Sequence, residues 1–255
     1  MDKQKRQRII VGNWKMNKTP GESEQLIKSI KSRLSKMECE VVLCVPFIDI
    51  HVAVDLTQNT DIKVGAQNCH FEQNGAYTGE ISAQMLKVLS VEYVILGHSE
   101  RRVLFSENDE IINKKVKAAL AEGLRVILCV GETERERMCD ITEEKVSAQI
   151  KKALYGISKK ELKSVSIAYE PLWAIGTGKT ASKEIANKVC GKIRKIISCM
   201  YGKSASEEMS ILYGGSVNAR NARELLCMEN IDGALIGKAS LDSYEFSHII
   251  SGAQN

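Results

Sequence analysis

Val126-Ile127-Leu128-Cys129-Val130 is a run of five apolar residues with no polar alternation. A strand with one wet face alternates, so a continuous run points to a strand covered on both faces, as in a parallel sheet. The residues before it read as the helix that supplies one cover. Ser106-Glu107-Asn108-Asp109 places polar and acidic groups where a first helical turn has free N–H groups. Ile112, Val116, Ala119 and Leu120 then fall on one helical face, and Gly123 stands at the expected stop.

Working outward, the same unit recurs. Further apolar runs lie at Ile9–Gly12, Val41–Val45, Ile62–Ala66, Tyr93–Leu96, Val165–Tyr169, Ile211–Tyr213 and Ala234–Ile236. Helix signals stand between them. Thr19-Pro20-Gly21-Glu22 is a capping box with proline at the first helical position, followed by a stripe of Leu26, Ile27, Ile30 and Leu34. Ser182 opens another helix, with Ile185, Val189, Ile193, Ile196 and Ile197 inward. Only three prolines occur and no linker-like tract divides the chain. Eight strand–helix units over residues 1–255 predict one α/β domain, a closed (β/α)8 barrel. An open doubly wound sheet is the alternative.

Composition narrows the function classes. The net charge is +4, from 36 basic and 32 acidic residues. That is too mild for a nucleic-acid partner, yet compatible with a small anion where basic groups converge. Eight cysteines show no C-x-x-C spacing, and most have apolar neighbours. They read as buried free thiols of a reducing compartment. No apolar run nears the ~18 residues of a membrane span, and the basic N-terminus has no signal core. The expectation is a cytoplasmic protein with no membrane partner.

In such a barrel, chemistry collects where strands end at their carboxyl side. The polar residues there are Asn13, Lys15, Gln67, Asn68, His98, Glu100, Glu132 and Glu170, with Gly214-Gly215-Ser216 and Gly237-Lys238 after the last two runs. Glycines at those last two places let backbone N–H groups approach an anion. Glu170 is a candidate base. The segment after it, Leu172 to Thr180, is apolar in the middle and rich in glycine, as a lid that excludes water would be. If Ser99 opens a helix, His98 sits at its positive end, which would lower the imidazole pKa and hold the ring neutral. A neutral ring can donate N–H to a developing enediolate oxygen.

Gly178-Lys179-Thr180 ends like a phosphate-binding loop, but Trp173 stands where that motif needs glycine. Gly176 to Ala181 matches a dinucleotide fingerprint, but it lies too far from its strand and lacks the acid about 20 residues on.

Four motifs, in order and at barrel spacing, resemble those of the triose-phosphate isomerase family. They are Gly12-Asn13-Trp14-Lys15-Met16-Asn17, Gly97-His98-Ser99-Glu100-Arg101-Arg102, Ala168 through Gly178, and Tyr213-Gly214-Gly215-Ser216-Val217. The resemblance covers essentially the whole chain. It implies the TIM-barrel fold and the cofactor-independent interconversion of dihydroxyacetone phosphate and glyceraldehyde 3-phosphate, in glycolysis and gluconeogenesis. A glutamate base beside a neutral histidine is the known pattern of that family.

On this chain the resemblance makes Glu170 the base and His98 the electrophile. Lys15 stabilises charge, Asn13 orients the substrate, and Glu100 and Ser99 support them. The main-chain N–H groups of Gly176, Ser216, Gly237 and Lys238 hold the phosphate. It also implies a homodimer through the loop Gln67 to Glu80, with Thr78 reaching the partner's site. One departure is Lys238, which stands where the usual pattern has a second glycine; Leu172, where valine is common, is a smaller one. Two other classes fit the residues less well. A glycosidase using Glu100 and Glu170 would want more aromatic platforms than 5% supplies, and a non-catalytic scaffold would not need Asn13, Lys15, His98 and Glu170 together.

Overall fold

The computed structural model describes residues 6–34, 37–174 and 181–253. Eight strands form a closed parallel barrel in chain order. They are β1 (Ile9–Asn13), β2 (Glu40–Val45), β3 (Ile62–Ala66), β4 (Tyr93–Leu96), β5 (Arg125–Val130), β6 (Val165–Tyr169), β7 (Ile211–Tyr213) and β8 (Gly233–Ile236). Closure is made by β1 against β8, where Ile9 pairs with Gly233 and Gly12 with Ile236. The open-sheet alternative is therefore excluded.

The helices are α1 (Pro20–Arg33), α2 (Ile50–Thr57), α3 (Ala83–Val88), α4 (Ser99–Leu104), α5 (Asp109–Ala121), α6 (Glu134–Met138), α7 (Thr142–Ala153), α8 (Lys183–Tyr201), α9 (Lys203–Glu208), α10 (Ala222–Leu226) and α11 (Ser243–Gly252). Their starts follow the local chemistry. Glu22 accepts the N–H of Thr19 at 2.8 Å before α1. Asn108 Oδ1 accepts the N–H of Ile111 at 2.8 Å before α5, and Ser182 Oγ accepts that of Ile185 at 3.3 Å before α8. Gly123 ends the α5 turn with φ +73°, a conformation that favours glycine.

Both strand faces are buried, for two different reasons. One set of alternate residues packs outward under the helices, including Ile10, Val41, Leu96, Leu128 and Ile167. The other set fills the barrel interior, including Val11, Cys44, Ile95, Cys129, Ala168 and Leu235. The barrel interior is thus filled by side chains, a packed core rather than a pore. The period-two alternation also decides what reaches the barrel mouth. Asn13 follows Val11 on the inward face of β1, and Glu170 follows Ala168 on that of β6.

The opposite end is closed by paired charges. Asp232 is buried between Arg6 Nε, at 3.3 Å, and Arg194 Nη2, at 2.6 Å. Glu40 receives Arg125 Nη1 at 2.6 Å and the Tyr93 hydroxyl, and the Arg125 guanidinium lies 4.5 Å from the centre of the Tyr93 ring. Among the described residues all eight cysteines are free thiols; five are buried, but Cys139, Cys199 and Cys227 are exposed, so the expectation of burial holds for the barrel and helix interiors only. No helix among the described residues is long and apolar enough to cross a membrane.

Candidate active site

Glu170 and His98 meet over the barrel mouth. Glu170 leaves the end of β6, where its N–H donates to Val130 O at 2.8 Å and fixes the backbone. Its side chain is 3% exposed. Oε1 lies 2.9 Å from His98 Nε2. Oε2 accepts the N–H of Ser99 at 2.9 Å. Room for this carboxylate comes from neighbouring glycines: a Cβ on Gly214 would sit 2.9 Å from Glu170 Cγ, and one on Gly131 would sit 1.8 Å from its carbonyl oxygen.

His98 caps α4, as its sequence setting predicts. Nδ1 accepts the N–H of Glu100 at 3.2 Å. That donor occupies the Nδ1 lone pair, so the neutral ring carries its proton on Nε2, facing Glu170. The turn into His98 is held by Gly97, at φ +71°, and by Arg102, whose Nε donates to Gly97 O at 2.7 Å and Nη2 to Cys129 O at 3.1 Å.

The titration of the pair corrects one expectation. Burial does press the His98 pKa downward, as the helix end was expected to. The Glu170 carboxylate, its hydrogen bond and Glu100 outweigh that, and the imidazole is held above the ordinary histidine range. For Glu170, burial presses the pKa upward, but His98, the Ser99 N–H and Lys15 outweigh it and hold the carboxyl below its ordinary range. Each partner favours the charged form of the other.

Lys15 stands across the mouth in a left-handed conformation, φ +53°. A non-glycine residue held there is locally strained, and strain of this kind gathers at functional sites. Its N–H donates to Asn13 Oδ1 at 3.1 Å. Its carbonyl accepts Gln67 Nε2 at 2.9 Å, and the same amide reaches Cys44 O at 3.0 Å. Gln67 therefore fixes the Lys15 turn, a positioning role that its place after β3 did not reveal. Lys15 Nζ is 2.6 Å from Glu100 Oε1.

A cavity of about 400 Å³ opens between these groups and the loops after β7 and β8, lined by Asn13, Lys15, His98, Glu170, Ser216, Gly237 and Lys238 among others. The N–H groups of Gly215, Ser216, Gly237 and Lys238 have no hydrogen-bond partner among the described residues. Gly215 admits no side chain, since a Cβ would lie 2.2 Å from the Tyr213 hydroxyl oxygen. The carbonyl of Gly237 is turned away and accepts both the N–H of Ser240, at 2.9 Å, and its hydroxyl, at 2.7 Å. An anion set against these two loops would meet those N–H donors.

Not every strand-end residue reaches the cavity. Asn68 instead accepts from buried Lys115 at 2.9 Å. Glu132 is fully buried and accepts the Tyr169 hydroxyl at 3.0 Å and Trp173 Nε1 at 2.9 Å; burial raises its pKa against those hydrogen bonds. Gly176 and the segment 175–180 lie outside the described residues. Among the described residues no group of three His, Cys, Asp or Glu converges to hold a metal.

The triosephosphate isomerase family model matches residues 8–253. The chain belongs to the triosephosphate isomerase family. It is 52% identical over 241 residues to the triosephosphate isomerase of Acetivibrio thermocellus, covering 94% of this chain and 96% of that one. It is 51% identical to that of Alkaliphilus oremlandii, covering 96% and 99%, and 48% identical to that of Clostridium tetani, covering 96% of each. The strand-end motifs and the barrel closure are thus those of a triosephosphate isomerase family member along the full match.

Proposed function

We propose that this chain, as one barrel domain, interconverts dihydroxyacetone phosphate and D-glyceraldehyde 3-phosphate through an enediolate, as an aldose–ketose isomerase of glycolysis and gluconeogenesis. The observation that carries the assignment is the meeting of Glu170 and His98 at 2.9 Å over a cavity lined with unpartnered N–H groups. Isomerisation moves one proton between adjacent carbons. Glu170 takes the proton from one carbon as its C–H electron pair becomes the enediolate double bond, then returns it to the neighbouring carbon. His98 donates from Nε2 to the carbonyl oxygen and passes hydroxyl protons between the two oxygens.

The raised pKa of His98 belongs to the resting contact with Glu170. A substrate between the two takes Glu170 from the ring, which removes the main raising influence. Burial, the N–H of Glu100 and the charge of Lys15 remain to favour the neutral ring, against the Glu100 carboxylate. Lys15 stabilises the enediolate oxygen and the phosphate, Asn13 positions Lys15, Glu100 and Ser99 hold Lys15 and Glu170, and the N–H groups of Gly176, Ser216, Gly237 and Lys238 bind phosphate.

Two monomers form the working unit, and the enzyme is cytoplasmic. What supports a dimer is apolar exposure on the segments that follow β1, β2 and β3: Met16 is 96% exposed, with Ile48, Tyr77 and, on α3, Met85 also exposed. Thr78 lies on the protruding loop with Tyr77 and reaches the partner's site. The decisive experiment is a coupled assay of triose phosphate interconversion with wild type and Glu170→Gln in parallel. Wild-type turnover lost in Glu170→Gln supports the assignment; no wild-type turnover ends it.

A further inference from the structure

Lys238 opens the short turn Lys238–Leu241 after β8. Lys238 is not among the residues with positive φ, so a side chain here costs no backbone strain and the N–H stays available. The residue is exposed at the rim of the cavity it lines. Its neighbour Gly237 touches the other lysine of the site: a Cβ on Gly237 would lie 3.5 Å from Lys15 Cε and 3.9 Å from Lys15 Nζ. Lys15 and Lys238 thus both line the cavity, joined through Gly237, which packs against Lys15.

They differ in what they already hold. Lys15 Nζ is compensated by Glu100 at 2.6 Å. The Lys238 ammonium has no hydrogen bond or ion pair among the described residues. With Lys15 paired to Glu100 and His98 to Glu170, those four groups offer a dianionic phosphate no surplus positive charge. Lys238 supplies it and is the cation free to follow the ligand.

We propose that the Lys238 ammonium is a second cationic contact for the phosphate group, adding to the affinity of the site for doubly charged oxyanions. This rests on the isomerase assignment for the identity of the substrate, but not for the anion. Because Lys238 is exposed, its contribution is modest and screened by salt.

The test uses wild type, Lys238→Met, which keeps a long unbranched stem without charge, and Lys238→Arg, which keeps charge. Inorganic phosphate is titrated by calorimetry and as a competitive inhibitor at low and high ionic strength. Lys238→Met is expected to weaken phosphate binding about two- to fivefold at low salt, with a shallower salt dependence. KM for triose phosphate should rise similarly, with the larger share of the loss in KM rather than kcat. Lys238→Arg should restore both. Equal phosphate affinity and salt dependence in wild type and Lys238→Met would overturn the proposal, as would a loss that Lys238→Arg fails to restore, since stem packing would then explain it. A wild type that binds phosphate through Lys238 but turns over no triose phosphate would remove the isomerase assignment and leave this one standing.

Discussion

Replacing Glu170 by aspartate keeps the charge and withdraws the carboxylate by one C–C bond, about 1.5 Å. In the structure both oxygens are committed, Oε1 to His98 Nε2 and Oε2 to the Ser99 N–H, each at 2.9 Å. The backbone cannot follow the shortened side chain. It is held by the 2.8 Å bond to Val130 O and closely packed against Gly131. The carboxylate therefore moves out of reach of both donors and away from any carbon bound in the cavity. A misplacement of about 1 Å costs on the order of 10²-fold in rate, so kcat should fall about 10²- to 10³-fold. The phosphate contacts lie on other loops, and KM should stay within about threefold. The coupled assay gives both constants, and a thermal melt establishes that the variant is folded. A folded Glu170→Asp enzyme with nearly wild-type kcat would remove Glu170 from the role of base.

His98→Gln should lower kcat by about 10²- to 10⁴-fold. Because His98 helps hold the Glu170 pKa down, the acid limb of kcat/KM should also move to higher pH; an unmoved limb would deny the coupling. The same pair gives a signed stability prediction. His98, raised, contributes fully below the ordinary histidine pKa and loses its contribution as pH rises through its folded value. Glu170, depressed, contributes above the ordinary glutamate pKa and loses it as pH falls through its folded value. The melting-temperature gap between wild type and His98→Gln should therefore be widest at about pH 5–6 and narrow by about pH 9; a gap that widens with pH would reverse the assignment. Triose substrates without phosphate should lose kcat as well as affinity, since remote binding energy supports the chemistry; equal turnover would refute the role given to the phosphate loops. Asp232→Ala should cost about 3–5 kcal/mol in denaturant unfolding, because it strands buried Arg6 and Arg194; a loss below about 1 kcal/mol would mean the cluster relaxes into water.

Much of the frame is legible because the deciding signals are local. The run Val126–Val130 predicts β5 to within one residue, since the added Arg125 is polar and pairs with Glu40 at the closed end. Val165–Tyr169 matches β6 throughout. Asn13 and Glu170 could be placed at the mouth because each follows an apolar run whose alternation carries it inward. What stays hidden is set by contact between distant segments. The 2.9 Å approach of His98 to Glu170 depends on β4 and β6 flanking β5, and it reverses the direction of the His98 pKa expected from its helix alone. Gly214 reads as a phosphate-loop glycine, yet part of its reason is the Glu170 side chain packed against it. Nothing about a lysine announces the φ of +53° at Lys15, which Asn13 and Gln67 impose from either side.

The two ends of the barrel draw on the same kinds of residue, and the difference between them is how far those residues satisfy one another. At the closed end Asp232 sits between two arginines, while Glu40, Arg125, Tyr93 and Gln7 exchange hydrogen bonds among themselves. Those charges lock strands together. At the mouth the pairing stops short. Glu170 is held by His98 and Ser99, but through groups a ligand can replace, and the N–H groups of Ser216, Gly237 and Lys238 bond to no described residue. Each such donor kept partly dry and unpaired costs stability that an apolar or fully paired mouth would not. A bound phosphate returns that cost by filling the donors at once. Ligand binding should thus stabilise this end of the barrel above all, in proportion to the logarithm of ligand concentration over Kd.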